Sequence, residues 1–122
     1  MPRRTIDFDT VRKLARELGE VEDSTTYGSP ALKIRGKLLA CLPSHSSAEP
    51  DSLAVRIDYE NRAELLAAAP DIYYLKDHYV NYPIVLVRLS RIQPDALQDL
   101  LRMARRFVTA KPAAKRRGSR RN

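Results

Sequence analysis

The residues Leu97, Leu100, Leu101, Ala104, Phe107 and Val108 recur at i, i+3, i+4, i+7, i+10 and i+11 behind Pro94. That spacing predicts a helix with one apolar stripe, opened by a proline whose missing N–H is no loss at a first helical position. Asp95 and Asp99 precede Arg102, Arg105 and Arg106, the order that suits the helix dipole. An apolar stripe has to be covered by a second layer, so the rest of the chain must supply one.

It does so by alternating periods. Phe8, Val11, Leu14, Ala15 and Leu18 repeat the helical spacing near the start, and Gly19 is placed to end that helix. In residues 25–42, TTYGSPALKIRGKLLACL, Leu32 and Ile34 alternate with Lys33 and Arg35 before a turn at Arg35-Gly36-Lys37, which predicts a hairpin with a basic tip. Residues 43–52, PSHSSAEPDS, read as a loop. In the strand that follows, Leu53, Val55 and Ile57 point one way and Ala54, Arg56 and Asp58 the other. Asn61 and Glu64 have the spacing of a capping box ahead of a short helix over Ala63–Ala69, stopped by Pro70. An aromatic strand start near Tyr73 and a turn lead to the β-branched run Ile84–Leu89, an inner strand with Pro83 at its entrance. The order describes an α+β domain in which N-terminal, middle and C-terminal helices pack on an antiparallel sheet.

The length of 122 residues suits one domain. Its formal charge of +7 is unevenly placed: six of the 22 basic residues lie in 111–122 with no acid among them, which leaves 16 basic against 15 acidic over 1–110. The expectation is a nearly neutral folded domain over 1–110 and a disordered basic tail over 111–122, too poor in apolar residues to offset its ordering entropy. The chain has no apolar run long enough to cross a bilayer, and MPRRTIDFD lacks the apolar stretch of a secretory signal. One cysteine, Cys41, cannot make an internal disulfide, so a reducing cytoplasm is the natural setting, with a monomer favoured.

Catalytic patterns are weak. Cys41 and His45 lack the further ligands of a zinc site, Asp77-His78 has no nucleophile that can be set beside it, and no glycine-rich phosphate loop is present. An enzyme, a cofactor and a metal are therefore not expected. The positive signal is cationic. Lys33, Arg35, Lys37, Arg56 and Arg88 fall in the outward set of the strands and their turn, interleaved with Tyr27, Tyr73, Tyr74, Tyr79 and Tyr82, as phosphate backbones and exposed bases require. Solvated sheet faces also carry Lys and Arg for solubility alone, and both readings stand. The tail cations, among them Lys115, Arg116, Arg117, Arg120 and Arg121, make a polyanion-binding arm.

Two segments, TTYGSPALKIRGKLLACL with Gly28, Pro30, Lys33, Gly36 and Lys37, and LKDHYVNYPIVLVRL with His78, Tyr79, Tyr82 and Pro83, resemble the MmcQ/YjbR family of small bacterial proteins. The resemblance spans roughly residues 5–108 and implies a CyaY-like, or double-wing, α+β fold and a role in DNA binding. Members of that family often carry Asn-Lys and then Trp after the histidine. Here Tyr79-Val80-Asn81-Tyr82-Pro83 follows and there is no Trp, so only His78 carries over. The leading expectation is a non-enzymatic protein that binds DNA, or RNA, without sequence preference, through phosphate contacts from the hairpin and tail. The alternative is a module that binds a small anionic ligand or a protein partner near His78, Tyr79 and Tyr82.

Overall fold

Asp7 leaves the backbone extended and its carboxylate accepts the Thr10 N–H at 2.9 Å, a cap that opens α1, Phe8–Arg16. A computed structural model of the protein describes residues 5–110, so the expected tail lies outside the described residues. Val11 and Ala15 are buried, and Gly19, at φ +83°, turns the chain out of the helix.

Six strands follow: β1, Val21–Thr26; β2, Ser29–Ile34; β3, Lys37–Cys41; β4, Ser52–Arg56; β5, Tyr73–Tyr74; and β6, Ile84–Arg88. Every pairing is antiparallel, in the order β1-β2-β3-β4-β6-β5. The strand β1 was not expected, because VEDSTT has one apolar residue and no alternation. Its pairing with β2 makes it a strand, across a two-residue turn at Tyr27-Gly28 with φ of 50° and 79°. Arg35-Gly36, at 52° and 78°, joins β2 to β3 in the same way. Positive φ at both central residues is the primed hairpin turn whose twist matches that of the strands.

The helix α2, Tyr59–Ala68, begins earlier than the sequence pattern predicts. Asp58, extended as it leaves β4, is the cap: it accepts the Asn61 N–H at 3.1 Å and the Asn61 side-chain amide at 2.8 Å. Asn61 therefore answers a cap instead of being one, since the carboxylate at the strand exit is the first acceptor the helix meets. The last helix, α3, is Pro94–Thr109, with Pro94 in its first turn as expected.

The helices α1 and α3 lie on one face of the sheet. Leu32, Ile34, Leu39, Leu53, Val55, Ile57, Val85 and Val87 meet Val11, Ala15, Leu97, Leu100, Leu101, Ala104 and Val108 there. Full burial of each large aliphatic contributes about 1.5–3 kcal/mol. A bulge opposite Lys33 lets both Leu39 and Ala40 join this core while Leu38 turns to the other face. That other face is not bare. Ala31, Cys41, Ala54, Tyr74, Tyr79 and Leu86 form a second, smaller core on it, under the chain between β3 and β4 and the chain between β5 and β6. Among the described residues no helix is long and apolar enough to cross a membrane.

Candidate binding groove

The two connections over the second face are each pinned by one arginine. Arg88, on β6, grips the Glu49 carboxylate through Nε and a terminal nitrogen, both at 2.9 Å, and lies 4.4 Å over the Tyr74 ring. Its other terminal nitrogen donates to the carbonyls of Pro70 and Asp71, at 3.1 and 3.2 Å. The Glu49 N–H donates to the Tyr74 hydroxyl at 2.8 Å, so this loop is tied at both backbone and side chain. The hydrogen bond from Arg88 holds the Glu49 carboxyl below its ordinary range.

Arg62, on α2, holds the other connection. One terminal nitrogen donates to the Tyr82 carbonyl at 2.8 Å and the Ile84 carbonyl at 3.3 Å, and the second to the Val80 carbonyl at 3.1 Å. The guanidinium also lies 4.7 Å over the Tyr59 ring, whose hydroxyl donates to the Asn81 carbonyl at 3.0 Å. Within this segment, Asp77–Tyr79 makes one short 3-10 turn.

With both connections fixed, their rings meet. His45 and His78 stack with centroids 3.8 Å apart and planes 13° from parallel. Tyr79, buried, presents its edge to both, at 6.3 Å and 4.9 Å, and Tyr82 lies 6.2 Å from His78. The Ser47 N–H donates to His45 Nδ1 at 3.1 Å, which in the neutral ring leaves the proton on Nε2. Beside this assembly runs a groove of about 450 Å³, floored by Leu38, Cys41, Ala54 and Ile84 and walled by Tyr27, His45, His78 and Tyr82. That volume lies within the ~300–1,000 Å³ of small-molecule sites. Among the described residues no Asp, Glu, Lys or Arg lines it. Burial pushes the Cys41 thiol up to about 11, which disfavours the thiolate at neutral pH. Among the described residues no three His, Cys, Asp or Glu side chains group to hold a metal.

Tyr27 is the residue that folding does not explain. The residue is 91% exposed, and its ring makes no ring contact with another described residue. Yet its backbone sits in the left-handed region, at the first central position of a primed turn where Asn, Asp or Gly is favoured.

The cations expected to share one face are dispersed. Arg35 turns to Glu20, with nitrogens at 2.9–3.1 Å from its carboxylate, and Glu20 also takes Arg105 of α3 at 3.0 Å. Arg56 was expected to point outward with Arg88. Its guanidinium instead lies 5.5 Å over the Phe107 ring of α3, with a buried Nε that has no partner among the described residues. Arg88 is occupied by Glu49. Each of these arginines is long enough to reach an anion or ring of its own chain, which alternation along a strand does not register. Lys33, Lys37 and Arg56 have no ion-pair partner among the described residues, and of these three only Arg56 lies over a ring. Lys33 is directly opposite Leu38, so it borders the groove, with Glu22 facing it from β1. The tail residues Lys115, Arg116, Arg117, Arg120 and Arg121 lie outside the described residues.

Of the residues expected near a ligand site, His78, Tyr79 and Tyr82 lie together beside the groove. Tyr27, which the sequence marks only as one of the rings among the cations, joins them, and so do His45 and Arg62, which it does not mark for this site. A Tyr-Gly pair between two strands, where Asn-Gly is usual, is the one local signal that could have marked Tyr27.

No family model matches this chain, and no curated protein does. The fold is similar to the crystal structure of Deinococcus radiodurans protein DR2400, which carries a DUF419 domain. The TM-score is 0.69 at 22% identity, over 93% of this chain and 84% of that one.

Proposed function

We propose that this chain is a non-enzymatic binding protein whose folded body takes a flat, uncharged ring in the groove between the Tyr27 turn and the His45–His78 stack. The observation that carries the reading is Tyr27, held exposed at the groove in a backbone conformation unfavourable to it. An anionic ligand is less well served, because among the described residues no Lys or Arg lines the groove.

Sequence-tolerant DNA binding through phosphate contacts is the second reading. It rests on the MmcQ/YjbR resemblance, on the unpaired Lys33 and Lys37, and on the six cations of 111–122. The two separate on heparin and on duplex DNA, which offer anions but no unpaired ring. Residues 1–110 and the full chain are eluted with rising salt. The groove reading expects the shorter chain to pass through unretained, and the salt slope of log affinity to differ by about −5 when the tail is present. Retention of residues 1–110 with a slope of its own would favour a phosphate-binding body.

A further inference from the structure

We infer that the groove stacks an unpaired base of a single-stranded nucleic acid. The inference rests on the reading that the groove is the binding site, and names its occupant. Three observations converge. The walls are aromatic: the exposed Tyr27 and Tyr82 and the stacked imidazoles of His45 and His78 line the groove above an apolar floor. Among the described residues the lining holds no Asp, Glu, Lys or Arg, which suits a ring that is itself uncharged better than a carboxylate or phosphate. A cation stands beside it instead, since Lys33 is paired with Leu38 of the floor, and the sequence carries six more cations after Ala110.

Rings inside and cations outside are the division of labour of single-strand recognition, in which a base stacks while its phosphates are neutralised beside it. A duplex cannot use such a groove, because its bases are stacked on one another. The aromatic side chain of a partner protein would fill it without needing the cations. The arginine clamps matter here as well. Arg62 and Arg88 fix both connections before any ligand arrives, so little ordering opposes binding.

The test uses the full chain with a short single-stranded oligonucleotide and a duplex of equal phosphate count, at salt high enough to screen phosphate contacts. Adenosine and indole serve as free-ring probes, read through the ring resonances of His45, His78, Tyr79 and Tyr82. The single strand should be held more tightly than the duplex. Tyr27→Asn, which keeps the turn, should weaken the single strand by about tenfold and leave the duplex unchanged. Tyr82→Ala should do the same. Equal affinity for single strand and duplex, with neither substitution felt, overturns the assignment. If indole still shifts the four rings in that event, the groove remains a binding site for another ring; if no ring shifts them, that reading falls too. Adenosine bound as tightly as the strand would overturn the single strand in favour of a free nucleoside.

Discussion

Replacing Arg62 by Ala should loosen the segment that carries His78 and Tyr82 without unmaking the fold. Three carbonyls lose their donor, and Tyr59 loses the cation over its ring. The bonds to Val80 and Tyr82 lie at the surface, where water replaces the guanidinium, so each is worth only about 0.5 kcal/mol net. The part-buried bond to Ile84, long at 3.3 Å, adds about as much, and an exposed cation–ring contact contributes about 0.5–1 kcal/mol. The loss is then about 2 kcal/mol, or roughly 8 °C in Tm at about 4 °C per kcal/mol for a chain of this size. The effect should also be local. Amide exchange should speed up at Tyr82, which donates to Tyr79, and at Ile57, which donates to Pro83, well before the α3 amides respond. Arg62→Lys should recover only part of the loss, since a point ammonium cannot span three carbonyls as the planar fork does. A melt lowered by less than about 2 °C, with exchange at Tyr82 and Ile57 unchanged, would refute the clamp.

Tyr27→Asn should keep or raise stability, by up to about 1 kcal/mol in a thermal melt, because Asn accepts the left-handed conformation more readily; a fall in Tm of several degrees would mean that the ring supports the fold. Arg88 holds the Glu49 carboxyl below its ordinary 4.5, and Arg35 does the same to Glu20. These pairs therefore contribute above that value, and their contribution is lost as the pH falls through the lowered folded values. Glu49→Gln should flatten this acid limb of Tm against pH, and an unchanged limb would remove Glu49 from it. Cys41, with its thiol pushed up to about 11, should react with a disulfide reagent at pH 8 far more slowly in the folded protein than in denaturant; equal rates would mean the groove floor is open.

Much of the fold was legible because its signals are local. The helical spacing of Phe8 to Leu18 and of Leu97 to Val108, and the alternation of Leu53, Val55 and Ile57, each identify the face that becomes buried. Two errors are instructive. The strand β1 was invisible because VEDSTT owes its conformation to hydrogen bonds with β2 and not to its own residues. The cap of α2 was misplaced because Asp58 belongs to the strand by pattern and to the helix by hydrogen bonding. Of the site, the sequence singles out His78, Tyr79 and Tyr82, whereas the only partner it offers His45 is Cys41, as a metal ligand.

The sequence by itself determined the α+β class, the two helical stripes, the core face of the central strands and the separation of charge between a neutral body and a cationic terminus. Those properties depend on period and composition, which a chain carries before it folds. Only the tertiary structure decided where each arginine ends and which rings meet. His45 reaches His78 across 33 residues and Arg62 reaches Val80 across 18, and such meetings are set by the sheet register that stacks one connection beside another. The same register gave Arg35, Arg56 and Arg88 partners of their own, so the face that alternation marks as basic became the floor of a ring-walled groove lined, among the described residues, by no Lys or Arg.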